Sequence, residues 1–138
     1  MPEFDYIRVP CAKSSFAPNG YLWQPIIPIK LKYGSRTIPV MAFVDTGASY
    51  TTMPYEVAEI SGINPESGTV LPVLGIDGLV QTYLHDGFII RIGSHEIRTP
   101  IAFKRDVQPL LGRYAVFDSF EVSFNERKLS VRFHPFDR

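Results

Sequence analysis

The chain is short of several things, and each shortage narrows what it can be. Charge of one sign is missing, since 14 Lys and Arg stand against 14 Asp and Glu, a formal net charge of zero over 138 residues. Binding to nucleic acid through counterion release, or to an anionic membrane, needs an excess of cations. Neither nucleic acid nor a membrane is therefore expected as a partner. Cysteine is almost absent. Cys11 stands alone, which forbids an internal disulfide and excludes zinc sites of four cysteines, or of two cysteines and two histidines. That usage suits a reducing, cytoplasmic setting. His85, His95 and His134 have no paired ligand spacing, so each reads as a surface or capped histidine, and neither a metal nor another cofactor is expected. Long apolar runs are missing too. The run over residues 38–44 has seven residues and contains Pro39, against the roughly 20 that a spanning helix needs. The amino terminus, Met-Pro-Glu-Phe-Asp, is acidic where a secretory signal is basic. Finally, there is no Gly-x-Ser-x-Gly, and the one cysteine lies in no catalytic signature.

What the chain does have is the composition of a folded protein, with 45% hydrophobic and 20% charged residues. Its length suits one domain. Residues 1–20 mix Pro2, Pro10, Pro18, Asn19 and Gly20 without a period and read as an N-terminal arm without fixed structure. Residues 21–138 form the domain. From 22 to 33 the pattern is strand-like, interrupted by Pro25 and Pro28, each of which removes a ladder donor and favours a sheet edge. Residues 37–45 are β-branched, aromatic and nearly continuously apolar, as in a strand buried on both faces. Pro54 suits a first helical position and Gly62 a C′ position, so a short helix is expected between them, with Val57, Ala58 and Ile60 inward. Residues 69–74 and 79–84, joined through Gly75-Ile-Asp-Gly78, read as a β-hairpin. A second hairpin turns at Gly93-Ser94 and a third at residues 125–128, with a helical turn somewhere in 113–120. Short strands at this spacing predict an all-β barrel. Aromatic residues, 13% of the chain, are assigned to the core.

The segment that carries chemistry is Phe43-Val44-Asp45-Thr46-Gly47-Ala48-Ser49. An apolar strand there ends in a carboxylate followed by a hydroxyl, a glycine and two small residues. In the plainest reading Asp45 opens a turn and accepts a hydrogen bond from the backbone two residues on. The flanking context points further. Val44-Asp-Thr-Gly-Ala-Ser49 resembles the active-site triad of aspartic proteases, and the short, single-copy form resembles the retroviral-type, retropepsin-like family. The likeness extends over roughly residues 22–133. The Gly75-Ile76-Asp77-Gly78 hairpin falls where that family carries a flap over its substrate. Leu110-Leu111-Gly112, followed by Arg113, resembles the family's second signature, which crosses behind the active-site loop.

That resemblance implies a single-domain, retropepsin-like closed barrel with one or two short helices, acting as a symmetric dimer. Two adjacent carboxylates that share one proton can take a proton from water and supply one to the peptide. Asp-Thr-Gly occurs once among seven Asp and seven Glu, so the second carboxylate must come from a second chain, which a two-fold axis supplies. The resemblance casts Asp45, Thr46 and Gly47 as catalytic. Thr46 would lock the loop through its hydroxyl, and Gly47 would let backbone approach the substrate. Ala48 with Gly75, Ile76, Asp77 and Gly78 would bind peptide, and Leu110, Leu111, Gly112 and Arg113 would support the loop or the dimer. Ser49 replaces an acidic residue that viral members pair with the arginine, which leaves Asp5, Asp106 and Asp118 as candidate partners for Arg113. The viral dimer sheet is built from both termini, and the Pro-rich arm matches it poorly. The expected activity is that of an aspartic endopeptidase working on peptides or proteins as a homodimer. The competing reading is a non-catalytic peptide-binding or assembly module on the same fold.

Overall fold

The computed structural model describes residues 2–75 and 78–136. In chain order the elements are β1 (Glu3–Asp5), β2 (Ile7–Pro10), β3 (Tyr21–Gln24), β4 (Ile26–Tyr33), β5 (Arg36–Val44), β6 (Thr52–Pro54) and helix α1 (Tyr55–Ile60). A single 3-10 turn (Pro65–Ser67) leads to β7 (Thr69–Gly75), β8 (Gly78–Ile92), β9 (His95–Lys104) and β10 (Leu110–Leu111). Helix α2 (Val116–Ser119), β11 (Phe120–Asn125) and β12 (Ser130–Pro135) follow. The fold is mostly β, as expected. No helix among the described residues is long and apolar enough to cross a membrane.

Six strands close a barrel in the order β4-β5-β10-β6-β9-β8, with β8 returning to β4 and β7 hooked onto β8 outside the ring. Closure falls on the second half of β4. Lys30 to Tyr33 pair with both β5 and β8, whereas Ile26 to Ile29 pair with β5 alone. Pro28 sits in that one-sided half, where its missing donor costs no ladder bond. Pro25 separates β3 from β4, splitting the single strand-like stretch read from the sequence.

Strand β5 departs from its expected burial on both faces. It alternates instead: Ile38, Val40, Ala42 and Val44 are buried, while Thr37, Pro39 and Met41 face outward. No helix layer covers the outer face, so a barrel strand keeps the two-residue period even where the sequence is apolar throughout. Inside, those side chains meet Ile27, Ile29, Leu31, Phe88, Ile90, Phe103 and Leu111 in one core.

Helix α1 forms where Pro54 and Gly62 predict it, with Pro54 as the extended N-cap residue rather than the first helical one. Gly62, at φ +81°, closes the C-terminus. Its N–H donates to the Glu59 carbonyl (3.0 Å), and Ile63 N–H donates to Ala58 (2.9 Å), a Schellman arrangement that needs a left-handed residue. Val57 and Ala58 are buried, but Ile60, in the last turn, is exposed. The two strand-like stretches on either side of Asp86-Gly87 form one long strand, β8, interrupted by a bulge between His85 and Phe88.

The largest difference from the sequence reading lies at the N-terminus. The segment read as an arm without fixed structure forms two strands. β1 pairs with β12, so that β12 lies between β1 and β11 in a three-stranded sheet. β2 pairs with β3 as a separate hairpin. Tyr6, between them, is buried in the core and its N–H donates to the Leu129 carbonyl (2.8 Å).

Candidate active site

Asp45 is held where two strands that are remote in sequence run side by side. β10 lies parallel to β5, with Leu110 opposite Phe43 and Leu111 opposite Val44. Phe43 N–H donates to the Pro109 carbonyl (2.9 Å), and Asp45 N–H donates to Leu111 (3.0 Å). Leu111 and Val44 are buried, so the backbone that delivers Asp45 is anchored in the core. A buried leucine contributes roughly 1.5–3 kcal/mol.

Beyond the strand the chain turns back on its own carboxylate. Gly47 N–H donates to Asp45 Oδ1 (2.9 Å), the side-chain turn expected of an aspartate in such a loop. This orients the group without hiding it, for Asp45 is half-buried and lines an open cleft. Two further bonds stitch the loop to the segment after β10: Arg113 N–H donates to Ala48 (2.9 Å) and Tyr114 N–H to Ser49 (2.8 Å).

A residue that sequence reasoning passed over ties these pieces together. Thr51 is completely buried. Its hydroxyl accepts from Gly112 N–H (3.1 Å) and its carbonyl accepts from Ala102 N–H on β9 (2.9 Å). One threonine thus bridges the loop, β9 and β10. Gly112 is there because nothing larger fits: a Cβ on it would lie 2.7 Å from the Thr51 nitrogen and would overlap the Tyr50 carbonyl. The only signal for Thr51 in the sequence was its place a few residues beyond Asp-Thr-Gly.

Thr46, expected to lock the loop, is exposed, and its hydroxyl makes no hydrogen bond among the described residues; within one chain the locking hydroxyl is that of Thr51. Arg113 is also exposed. Among the described residues it forms no ion pair, and neither Asp5, Asp106 nor Asp118 serves as its partner. Asp5 lies in β1, Asp106 in the turn after β9 and Asp118 in α2. Arg113 contributes to the loop through its backbone N–H instead.

The cleft in front of Asp45 has a volume of about 530 Å³. Gly47, Ala48 and Tyr50 line it, together with Leu71, Pro72 and Thr82 of the β7–β8 hairpin. Ala102, Val107 and Leu110 add apolar surface, and Lys104 brings the one cation among the described lining residues. Thr82 is buried, and its hydroxyl donates to the Leu71 carbonyl (2.7 Å), bracing the hairpin. The pairing of β7 with β8 continues to Gly75 opposite Gly78. Ile76 and Asp77, assigned to peptide binding, lie outside the described residues. Asp45 is the one carboxylate among the described lining residues.

Of the histidines, His85 Nε2 lies 2.9 Å from the Pro65 carbonyl and His134 is exposed. Among the described residues no three His, Cys, Asp or Glu side chains are grouped as a metal would need.

A closed barrel in which an Asp-Thr-Gly loop is stitched to a Leu-Leu-Gly strand beneath an open cleft defines a retropepsin-like domain. The chain belongs to the aspartyl protease family, whose model, described as Aspartyl protease, matches residues 28–114. That match takes in the Asp45 loop, the β7–β8 hairpin and Leu110-Leu111-Gly112. A search of curated proteins finds no match. The chemistry of the family is hydrolysis of peptide bonds, and the substrate class is peptide.

Proposed function

We propose that the protein is a retropepsin-type aspartic endopeptidase whose catalytic dyad forms when Asp45 of one copy meets Asp45 of a second. The observation that carries this reading is that Asp45 is the single carboxylate among the described residues lining the cleft. One carboxyl group cannot be base towards water and acid towards the peptide at once. Two that share a proton divide the work, because like charges about 3 Å apart do not both ionise. The ionised one takes a proton from water as its oxygen attacks the peptide carbonyl, while the protonated one donates to the carbonyl oxygen. Return of a proton to the amide nitrogen then lets the carbon–nitrogen bond break.

Other features support the same assignment. Gly47 and Ala48 put little bulk in front of Asp45, so an extended peptide can lie against the loop. The β7–β8 hairpin acts as the flap, adding backbone contacts above the peptide in the way an extra strand is bound, with alternate side chains entering pockets. Gly75, Ile76, Asp77 and Gly78 are assigned to peptide binding in this reading. The apolar lining favours large apolar residues around the scissile bond, since an unpaired charge there is costly to bury. Leu110, Leu111 and Gly112 hold the loop in place, and the lone cysteine suits action in the cytoplasm.

The test joins sedimentation to cleavage of a mixed peptide library, with and without an inhibitor that mimics the tetrahedral intermediate. The expected result is a dimer whose cleavage the inhibitor blocks, and an Asp45→Asn variant that folds but does not cleave. A folded wild-type chain that dimerises, binds peptides and cuts none of them would be a binding module instead. Cleavage by Asp45→Asn would place the chemistry on another residue.

A further inference from the structure

The β2–β3 hairpin shares no ladder with the barrel. Its ladder runs from Ile7 opposite Gln24 to Pro10 opposite Tyr21, and it forms a two-stranded sheet of its own. A two-stranded ribbon left alone in water is marginally stable. This one is stiffened by its own side chains, with the Arg8 guanidinium 5.0 Å from the Tyr21 ring centre and Tyr21 edge-on to Trp23 at 5.7 Å. Leu22 and Trp23 remain 41% and 43% exposed, and Phe16 in the loop beyond them 91%. Neighbouring strand residues point to opposite faces, so both faces of the ribbon present apolar surface. A hairpin lying flat on its own barrel would cover one of them.

The root of the ribbon is fixed beside the catalytic loop. On one strand Tyr6 N–H donates to Leu129 (2.8 Å), and on the other Val44 N–H donates to Pro25 (2.9 Å), one residue before Asp45. If the dyad forms on a two-fold axis, whatever adjoins Asp45 adjoins the second copy. The three-stranded sheet of β1, β12 and β11 offers less. β12 already has β1 on one side and β11 on the other, so a partner's strand cannot insert beside it.

We propose that the β2–β3 hairpin is a dimerisation arm whose Leu22, Trp23 and Phe16 pack on a second copy of this chain next to the paired Asp45 loops. The proposal rests on the dyad reading above. Symmetry uses each arm once in each direction, so a lesion in the arm acts twice per dimer.

Trp23 is the sole tryptophan, so intrinsic fluorescence of the full chain reports on the arm directly. On dilution, emission should shift to the red and become more quenchable by acrylamide, with the same midpoint as dissociation measured by sedimentation. Leu22→Glu, which keeps the tryptophan, and Trp23→Glu should each weaken the dimer at least a hundredfold while leaving the circular dichroism spectrum unchanged. Cleavage by these variants should return as protein concentration rises. Dimerisation with no change in Trp23 emission overturns the arm, as does wild-type dimer strength in both variants, or a chain that stays monomeric even with inhibitor. Inhibitor-sensitive cleavage with an unchanged Trp23 signal leaves the dyad and removes the arm. A dimer that buries Trp23 but cleaves nothing leaves the arm and removes the protease reading.

Discussion

Gly112→Ala is the sharpest test of how the Asp45 loop is held. The added methyl group meets backbone on both sides, 2.7 Å from the Thr51 nitrogen and overlapping the Tyr50 carbonyl. Neither can rotate away as a side-chain tip would. Relief requires the segment after β10 to part from the Asp45 loop, and the overpacking costs about 1–3 kcal/mol. Parting also stretches the bond from Gly112 N–H to the Thr51 hydroxyl, worth roughly 1 kcal/mol. Together these give about 2–4 kcal/mol out of the roughly 5–15 kcal/mol that a domain has. Urea unfolding at a fixed protein concentration measures the loss, since dimerisation makes stability depend on concentration. Turnover by whatever remains folded should fall about a hundredfold, because displacing a reacting group by about 1 Å costs that much. Thr51→Val separates the two contributions: the cavity stays filled, the buried Gly112 N–H loses its acceptor, and about 1–3 kcal/mol goes without overlap. If Gly112→Ala unfolds within about 0.5 kcal/mol of wild type and cleaves normally, the loop is not held as described.

The Asp45 loop and the strand that braces it could be read from the sequence because each is a contiguous motif. An apolar strand ending in Asp-Thr-Gly and a Leu-Leu-Gly pair each carry their own local signal, and the helix after Pro54 carries its caps. The elements that escaped have no such signal. β1 has three residues and β2 has four, too few for a period to show. β1 gains its partner from β12 at the far end of the chain, a pairing no window of sequence contains. Residues 37–45 misled for a different reason. Pro39 and Met41 are apolar yet face outward, because hydrophobicity records what a residue tolerates and the barrel's geometry decides which face it takes. Thr51 was invisible because a threonine near a turn is ordinary; its importance lies in Ala102 of β9 and Gly112, just after β10, meeting it from elsewhere in the chain. The partner sought for Arg113 among the aspartates followed from the family pattern, not from anything in this chain that required an ion pair.

Three further expectations follow from individual residues. Burial, and then the Glu126 carboxylate, push the Tyr6 hydroxyl up to about 12 from its ordinary 10. Since the unfolded chain releases that proton first, the neutral phenol's contribution is whole below pH 10 and is lost as pH rises through about 12. Unfolding midpoints taken across that range should fall in wild type and stay flatter in Tyr6→Phe; equal slopes would refute the assignment. Lys104 lines the cleft at a half-buried position, so peptides with an acidic side chain away from the scissile bond should be favoured. Lys104→Ala should lower kcat/KM for those peptides about fivefold, the effect of a partly solvated ion pair of ~1 kcal/mol, and leave neutral peptides unchanged. Equal losses on both would mean that Lys104 shapes the wall and does not read charge. Thr46 is the last case. Its hydroxyl sits exposed, one residue from the carboxylate, with no partner among the described residues of its own chain, so in a monomer Thr46→Ala should cost almost nothing. At a two-fold axis through Asp45 the same hydroxyl meets the second copy, and the loss becomes two hydrogen bonds of roughly 0.5–1.5 kcal/mol each. Monomer unfolding should therefore be unchanged while the dimer weakens about 5- to 150-fold, the factor equivalent to that loss. A variant that destabilises the monomer but dimerises like wild type would show that Thr46 serves its own loop and that the axis lies elsewhere.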